Sequence, residues 1–375
     1  MIRQRTKTSE CKTSEVVISP NLVNILRRIL TLAMLFALVA VPCFIFYIHK
    51  YPLWFSRLSY QITLSDSSPL QNEQVKLERV LKAASTKDKT VILTTLNEAW
   101  ATPNSILDLF LESFKIGENT KNLLSHLVIS CIDHKAYERC LKVHPHCYAL
   151  NTEGVDFSKE AYFGSPNYLK MVWRKIYYQK SVLELGYNFI FTDADIMWFR
   201  DPFTRFYEST DFQISCDNYL LSNSYDLHNN PNSGFEYVRS NNRTIRFYEF
   251  WYNSRLRYPN RYTQYVLHEI KHDPFIREIG LTIRFLNTLY FGGFCEPSKD
   301  FNQVCTMHAN CCKGEESKLH DLGLLLDDWR NYKALSLSDK SSWNATWRAP
   351  EDCSIKKKLD RHHIPKKLED EGKKD

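Results

Sequence analysis

The pattern of apolar and polar positions predicts strands that alternate with helices over much of the chain. Apolar runs of strand length occupy residues 90–96, 126–132, 147–150 and 187–191. Between them, apolar residues recur at helical spacing over residues 106–114 and 166–185, and Gly186 ends the second helix. Buried strands that alternate with helices predict an α/β fold with a largely parallel sheet.

A different apolar pattern lies near the amino terminus. Residues 29–48 form a run of 20 positions without a charged side chain, and basic residues flank the run on both sides. A helix of this length spans roughly 30 Å, the thickness of a bilayer core, so the run predicts a transmembrane signal anchor. The basic residues before it predict that residues 1–28 are cytoplasmic and that the rest of the chain is luminal, a single-pass type II topology.

Charge does not indicate a nucleic-acid partner. The 375 residues include 49 Lys plus Arg and 43 Asp plus Glu, which gives a formal net charge of +6. Residues 1–28 hold six basic and two acidic side chains, so they account for +4 and leave +2 for the remainder. Nucleic-acid binding needs basic side chains gathered on the folded domain. With 43% hydrophobic and 14% aromatic residues, the composition also excludes collagen-like and disordered classes.

Beyond the anchor, composition divides the chain into three parts. Residues 49–89 are polar and predict a stem that is partly helical and partly flexible. Residues 90–345 are expected to fold as a single luminal domain. Residues 346–375 are dense in charges of both signs, which predicts a solvated and flexible tail.

Luminal topology also bears on the cysteines and the glycosylation sequons. Nine of the eleven cysteines follow the anchor, where an oxidising compartment favours disulfides, and the odd number predicts one thiol that is free or intermolecular. Cys131, Cys140 and Cys147 are expected in disulfides, although the sequence does not assign the pairing. Asn242 and Asn344 begin sequons and are candidate glycosylation sites.

A pair of carboxylates follows the fourth predicted strand. Asp193 and Asp195 are two residues apart in an extended segment, so their side chains point to the same face. Paired carboxylates repel each other unless a cation lies between them, and Mg²⁺ or Mn²⁺ takes such oxygens together with substrate phosphates. The pair therefore predicts a divalent-metal site. The alternative is two aspartates that form a turn or cap a helix.

Five segments of the chain carry distinctive motifs. They are T-L-N-E-A-W at 95–100, F-T-D-A-D-I-M-W-F-R-D-P-F at 191–203, D-F-Q-I-S-C-D at 211–217, Y-F-G-G-F-C-E-P-S at 290–298 and C-T-M-H-A-N-C-C at 305–312. Together these segments resemble glycosyltransferase family 77, the plant nucleotide-diphospho-sugar transferases, which are Golgi membrane proteins with a GT-A fold. The resemblance implies a retaining transferase that moves a pentose or a galactose from a UDP-sugar to a cell-wall polysaccharide or a glycoprotein glycan.

The resemblance also implies roles for single residues. Asp193 and Asp195 would bind Mn²⁺ or Mg²⁺, with His308 as the third protein ligand. Gly314 and Lys318 resemble an element that wraps around the donor diphosphate in related retaining transferases. The further donor contacts that the resemblance implies are Thr94, Thr95, Asn97, Arg174, Asn232, Ser233 and Gly234. For Arg174, a solvated charge on a helix is the alternative.

One loop departs from the family pattern. Where the family reads approximately H-D-Q-D, this chain has Tyr262, Thr263, Gln264 and Tyr265. Gln264 is retained and is the catalytic candidate, beside Asp193 and Asp195, that would stabilise positive charge on the donor sugar. The two lost aspartates would each make charge-assisted hydrogen bonds worth roughly 1.5 to 3 kcal/mol. A pseudoenzyme that binds the donor without transferring it is therefore an open alternative.

The cysteine-rich segment near residue 308 supports a different hypothesis, a structural zinc site in a binding protein. Its candidate ligands are Cys295, Cys305, His308, Cys311 and Cys312. Two adjacent cysteines seldom both bind one tetrahedral zinc ion, and an oxidising compartment favours disulfides.

Overall fold

The computed structural model describes residues 27–36, 38, 69–150, 157, 164–220, 223–342 and 346–353. Residues 27–36 are helical. Within the described part of the chain, no helix is both long enough and apolar enough to cross a membrane. Most of the predicted anchor, residues 29–48, lies outside the described residues. The chain divides into two compact units, and the unit Glu73–Asp375 contains the sheets and the candidate site.

The first half of this unit follows the predicted alternation. Its elements are α1 (Pro69–Ala84, which begins just before the unit), β1 (Thr90–Leu96), α2 (Glu98–Ala101), α3 (Ile106–Ile116), β2 (Leu127–Cys131), α4 (His134–Val143), β3 (Cys147–Ala149), α5 (Pro166–Glu184) and β4 (Asn188–Thr192). Each of the four predicted strands and both predicted helices is present, with ends within two residues of the prediction.

The second half of the unit has longer elements mixed with strands of three residues. Its elements are β5 (Ile196–Trp198), β6 (Phe212–Asn218), β7 (Asn230–Val238), α6 (Asn242–Ser254), α7 (Thr263–Ile270), α8 (Pro274–Glu278), β8 (Ile283–Phe285), β9 (Phe291–Gly293), β10 (Thr306–His308), α9 (Glu315–Ala334) and α10 (Leu337–Ser341). Strands of three residues span barely one alternation, so a periodic pattern cannot reveal them.

Seven strands form the main sheet in the order β3-β2-β1-β4-β7-β6-β8. The pairs among β3, β2, β1 and β4 are parallel, as is the β6–β8 pair, whereas β7 runs antiparallel to both of its neighbours. The predicted α/β class with a largely parallel sheet is therefore confirmed. A second sheet of three strands, in the order β5-β10-β9, adjoins the end of β4 through the short turn that leads into β5.

Helices cover both faces of the main sheet because side chains alternate along each strand. Val91 and Leu93 of β1 belong to a core that includes Ile176 of α5. Ile92, which lies between them, belongs to the opposite core with Phe110 of α3. The two cores hold the carboxyl ends of β1 and β4 at one edge of the sheet, where ligands bind in open α/β folds.

The folded domain begins earlier than the predicted boundary at residue 90. Leu77, Leu81 and Ala84 of α1 are at most 4% exposed, and they pack into the same core as β1. The prediction of a stem over residues 49–89 is therefore too long at its carboxyl end. Polar residues dominate this helix, and its apolar stripe is narrow enough to be missed in a reading of composition.

The domain also extends further than predicted at the other end. Trp347 is 9% exposed and stacks on Phe301 with ring centroids 3.9 Å apart. Cys353 is buried and forms a disulfide with Cys312. Residues 346–353 therefore belong to the folded domain, and the prediction of a solvated tail from residue 346 is wrong for them. A few apolar residues spaced along a polar segment are enough to fix it.

Six of the nine cysteines that follow the predicted anchor form disulfides. The pairs are Cys140–Cys147, Cys295–Cys311 and Cys312–Cys353. Cys131, Cys216 and Cys305 are free and buried, so three thiols are unpaired instead of the single one predicted. The expectation of a disulfide at Cys131 is wrong because its side chain points from β2 into an apolar core.

Candidate functional site

Asp193 and Asp195 lie at the carboxyl end of β4, where the chain turns into β5. The amide of Ile196 donates to the carbonyl of Asp193 (3.2 Å), which closes the turn, and the amide of Asp193 donates to the carbonyl of Gly234 on β7 (2.7 Å). A buried apolar strand thus delivers two carboxylates to the edge of the sheet. The predicted convergence of the pair is confirmed.

The second sheet brings His308 to the same place. β10 runs antiparallel to β5, with His308 opposite Ile196, and the amide of Ala309 donates to the carbonyl of Asp195 (3.0 Å). His308 Nε2 lies 3.2 Å from Asp195 Oδ1. Potential ligand atoms of Asp193, Asp195 and His308 all lie within 4.8 Å of one another. These three residues are called the metal group below.

Two features show that the metal group suits a divalent cation. Asp195 Oδ1 is buried, and its close neighbour His308 Nε2, 3.2 Å away, is not aligned as a hydrogen-bond donor to it. A Cβ atom at Gly234 would lie 2.8 Å from Asp193 Oδ2 and 2.6 Å from His308 Cε1, so glycine keeps the space between the ligands open. Carboxylate oxygens suit both Mn²⁺ and Mg²⁺, and the imidazole favours Mn²⁺ over the harder Mg²⁺. A cation between Asp195 Oδ1 and His308 Nε2 would take both atoms as ligands.

Each carboxylate of the metal group has a lysine beside it. Lys318 Nζ lies 2.5 Å from Asp195 Oδ2, and Lys175 Nζ lies 3.5 Å from Asp193 Oδ1. Burial alone would raise the pKa of Asp195, but Lys318 and His308 hold it below its usual value. Burial raises the pKa of Asp193 above its usual value, although the charge of Lys175 opposes this shift.

A second group of polar side chains centres on Asp217 at the end of β6. Gln264 Nε2 donates to Asp217 Oδ2 (3.0 Å), and the amides of Asn232 and Asn310 donate to Asp217 Oδ1 (2.6 and 2.9 Å). Asp217, Asn232, Gln264 and Asn310 are called the Asp217 cluster below. The amide of Ser233 donates to Gln264 Oε1 (3.3 Å), so both ends of that side chain are held.

The Asp217 cluster and the metal group meet at Gly234. A Cβ atom there would lie 2.8 Å from Asn232 Oδ1 as well as 2.8 Å from Asp193 Oδ2. The amide of Gly234 donates to Asn232 Oδ1 (2.9 Å). The structure therefore brings together Gln264, Asn232, Ser233 and Gly234, four residues predicted from the sequence, beside the metal group.

The other predicted donor contacts lie on β1, beside α2 and on α5. Thr95 is half-buried at the end of β1, next to β4, whereas Thr94 is fully buried in the sheet. Asn97 caps α2 by accepting from the amide of Trp100 (3.4 Å). The guanidinium of Arg174 lies over the ring of Tyr177, 5.5 Å from its centroid.

Gly314 and Lys318, the two residues of the predicted diphosphate element, lie in different surroundings. Gly314 is exposed, has a φ of 90° and precedes α9, so its position requires glycine or a strained residue. Lys318 lies one turn further along α9 and donates to Asp195. Lys318 is therefore part of the surroundings of the metal group, where it can also face a bound phosphate.

Sequence reasoning missed Lys175, Asp217 and Asn310. Lys175 is 7% exposed, on the face of α5 that also buries Ile176. A lysine at a core-facing helical position is an unusual pattern and could have singled it out. Asp217 and Asn310 both lie in family-like segments, at 211–217 and 305–312, and this placement is the signal that could have singled them out.

The residues that replace the family's aspartates do not reach Asp217. Thr263 is 2% exposed, and its carbonyl accepts from Trp251 Nε1 (3.0 Å). The Tyr265 ring packs near Tyr258, and the Arg261 guanidinium lies over it at 4.7 Å. The altered loop is thus a packed helix start, and Gln264 is the side chain that it contributes to the site.

The zinc hypothesis is wrong because three of its four candidate sulfur ligands are in disulfides, which leaves Cys305 as a single buried thiol. Cys295 is bonded to Cys311, and Cys312 is bonded to Cys353. A disulfide sulfur carries no negative charge and does not replace a thiolate as a zinc ligand. His308 instead faces Asp195.

Of the two sequons, Asn242 is exposed at the start of α6. The hydroxyl of Thr244 in the same sequon is buried in the capping box of that helix. The Asn344 sequon begins outside the described residues.

Comparison with known proteins agrees with this arrangement. Residues 122–322 match the family model described as nucleotide-diphospho-sugar transferase. A protein of Arabidopsis thaliana described as uncharacterized is 50% identical over 291 residues, which cover 77% of this chain and 77% of that protein.

Two shorter matches have names that state a reaction. The UDP-galactose:fucoside alpha-3-galactosyltransferase of Dictyostelium discoideum is 39% identical over 72 residues, 18% of this chain and 10% of that protein. The UDP-D-xylose:L-fucose alpha-1,3-D-xylosyltransferase 3 of Arabidopsis thaliana is 35% identical over 81 residues, 21% of this chain and 21% of that protein.

Proposed function

Because the chain belongs to the nucleotide-diphospho-sugar transferase family, whose members are glycosyltransferases, we propose that it transfers a pentose or a galactose from a UDP-sugar to a glycan. The proposal includes retention at the anomeric carbon, dependence on a divalent metal and the GT-A class of the α/β fold. The observation that carries it is the position of Gly234, which lies beside both the metal group and the Asp217 cluster.

The metal group accounts for the diphosphate side of the proposal. Asp193, Asp195 and His308 would hold Mn²⁺ or Mg²⁺, and the bound ion would neutralise charge on the leaving UDP. Lys318 adds a positive charge at the same place, since its ammonium group already lies against Asp195. Phosphate charge that develops as the donor breaks would therefore meet fixed positive groups.

The Asp217 cluster accounts for the sugar side. Gln264 has its amide held at both ends, by Asp217 and by the Ser233 amide, so its orientation does not depend on the substrate. Groups fixed before the reaction cost no reorganisation when charge develops on the sugar. The loop around Gln264 lacks the family's aspartates, but Asp217 still places a carboxylate beside Gln264, with Oδ2 3.0 Å from Gln264 Nε2. This favours transfer over the pseudoenzyme alternative.

The names of the two shorter relatives suggest which substrates to test first. One name specifies UDP-galactose and a fucoside, and the other specifies UDP-D-xylose and L-fucose. We therefore propose a terminal fucose as the first acceptor to examine, on a cell-wall polysaccharide or a glycoprotein glycan. The donor choice between a pentose and a galactose belongs to the same experiment.

We also propose a Golgi location with the type II topology that residues 29–48 predict. The uncharged run and the three disulfides support this proposal, since disulfides form in oxidising compartments. Glycosidase treatment tests it, because luminal exposure should place a removable glycan on Asn242. A full chain that carries no glycan and is degraded by protease added to intact vesicles would contradict the topology.

A released-UDP assay tests the activity. The full chain would be incubated with UDP-xylose, UDP-arabinose or UDP-galactose, with and without a fucoside, in Mn²⁺ and in EDTA. We expect one donor to give acceptor-dependent UDP release that EDTA abolishes. Metal-dependent donor binding without release for any donor would instead support the pseudoenzyme, and equal release in EDTA would contradict the role of the metal group.

A further inference from the structure

Asn310 joins two parts of the domain that meet beside the metal group. Its Oδ1 accepts from the amide of Cys295 (3.1 Å), and its Nδ2 donates to Asp217 Oδ1 (2.9 Å). It follows His308 by two residues, at the end of β10. A single side chain therefore connects the loop after β9 with the carboxylate that holds Gln264.

The surroundings of Asn310 leave its side chain little freedom. A Cβ atom at Gly293 would lie 2.4 Å from Asn310 Oδ1, so only glycine allows the amide to lie over β9. The disulfide Cys295–Cys311 closes the same loop immediately beyond Asn310. Cys311 has a φ of 54°, a left-handed conformation that a residue with a side chain adopts where its surroundings impose it.

The disulfide itself touches the Asp217 cluster. The sulfur of Cys295 lies 3.6 Å from Asp217 Oδ1, and because it carries no hydrogen in the disulfide this is a packing contact. Asp217 Oδ1 is thus enclosed by the amides of Asn232 and Asn310 and by one sulfur. A carboxylate confined in this way presents its other oxygen to Gln264 in one orientation.

We propose that Asn310, fixed by the Cys295–Cys311 disulfide, is a positioning residue for sugar transfer, and that it acts on Gln264 through Asp217. This inference rests on the proposed function of the same site. Asn310 orients the side of the site that faces the transferred sugar, so its loss should impair the transfer step and leave the binding of UDP, which lacks the transferred sugar, unchanged. A residue that only stabilised the fold would weaken both.

The substitution Asn310→Asp tests this role with little change of shape. The new side chain can still accept from the Cys295 amide, but at neutral pH it has no hydrogen to donate and it places a like charge beside Asp217. We expect kcat to fall at least tenfold, while the Kd for UDP with Mn²⁺ changes less than twofold. Equal weakening of UDP binding and turnover would overturn the proposal.

Hydrogen exchange needs no ligand, so it tests the positioning role of Asn310 independently of the proposed function. The Ser233 amide donates to Gln264 Oε1, so its hydrogen exchange reports whether Gln264 is held. We expect exchange at Ser233 to be at least tenfold faster in Asn310→Asp than in the natural chain. If the natural chain transfers no sugar, the proposed function fails, and this exchange rate still decides the positioning role.

Two matched controls complete the experiment. Asn302→Asp makes the same change at an exposed residue away from the site, and it should alter neither kcat nor exchange at Ser233. The double change Cys295→Ser/Cys311→Ser should repeat the effect of Asn310→Asp, whereas Cys140→Ser/Cys147→Ser should not. Unchanged exchange at Ser233 in both Asn310→Asp and the Cys295/Cys311 variant would refute the inference, whatever their thermal stability.

Discussion

The metal group and the Asp217 cluster are neighbouring polar centres that balance charge in different ways. In the metal group two carboxylates and a histidine lie together, with Lys175 and Lys318 beside them. In the Asp217 cluster a single carboxylate is surrounded by neutral amides. The first arrangement can take up a cation and change with it, whereas the second is complete in the protein alone. We therefore expect the metal group to bind a ligand and the Asp217 cluster to orient one.

Removal of one ligand of the metal group should have the largest effect on turnover and on UDP binding. Asp195→Asn keeps the shape of the side chain but removes a charge that the cation needs. We expect turnover to fall about 1000-fold, which corresponds to about 4 kcal/mol, together with loss of Mn²⁺-dependent UDP binding. Released-UDP kinetics and UDP titration would measure this change.

Asp327→Asn is the matched control, since Asp327 lies on the surface of α9 in an ion pair with Arg330. It should leave both quantities unchanged. If Asp195→Asn binds UDP with the natural affinity, the metal group does not have the role assigned to it.

A third carboxylate beneath both centres gives a prediction for pH. Burial raises the pKa of Glu236 to about 7 from the ordinary 4.5, although Lys175 and the hydroxyl of Tyr248 oppose the shift. Between these values the folded protein keeps a proton that the unfolded chain releases. The free energy of unfolding should therefore fall as pH rises from 4.5 to about 7, by about 3 kcal/mol.

Glu236→Gln should flatten this part of the stability curve, because a glutamine does not titrate. Glu278→Gln, a change at an exposed residue of α8, should keep the slope. Denaturant unfolding between pH 5 and 7 is the measurement. An unchanged slope in Glu236→Gln would mean that Glu236 is ionised in the folded protein.

Loss of Gln264 should reduce turnover without weakening the binding of UDP. Gln264→Ala removes the amide held between Asp217 and Ser233, and we expect kcat to fall about 100-fold, as when one preorganised group is removed from a reaction centre. The Kd for UDP with Mn²⁺ should stay within twofold of the natural value. If UDP affinity fell as far as kcat, the two centres would not be distinct in function.

The smallest expected effect concerns Lys175, the buried lysine beside the metal group. Lys175→Met leaves Asp193 without its nearby cation. Because the Asp193 side chain is 33% exposed, we expect the free energy of unfolding to fall by about 2 kcal/mol in the absence of metal, less than for a fully buried pair. Added Mn²⁺ should then raise the melting temperature more than it does in the natural chain.

Lys170→Met, at an exposed position of the same helix, serves as the control and should show neither change. If Mn²⁺ stabilised Lys175→Met less than the natural chain, Lys175 would support metal binding and not merely replace the ion when it is absent.

The two centres also differ in how far the sequence predicts them. Asp193 and Asp195 follow a buried strand at a spacing of two, which predicts that they converge, although a turn and not an extended segment brings their side chains together. His308 was found by resemblance, since no local pattern links β10 to β4. Four of the seven strands of the main sheet, β1 to β4, were predicted because they are short apolar runs, whereas β6, β7 and β8 were not.

The Asp217 cluster could not be predicted in the same way. Its members come from β6, β7, α7 and the end of β10, and each is a common polar residue with no local pattern of its own. The loss of two aspartates beside Gln264 therefore suggested a weakened site, whereas the fold supplies Asp217 from another strand. The fold also buries Thr263, so an aspartate at position 263 would be a buried charge and would not restore a contact with the donor sugar.

The most direct test of the central claim is titration of UDP into the full chain, in Mn²⁺ and in EDTA. The arrangement of Asp193, Asp195 and His308 predicts saturable binding in Mn²⁺ and at least a hundredfold weaker binding in EDTA. Equal affinity in the two conditions would contradict the account of this site as a metal-dependent donor site.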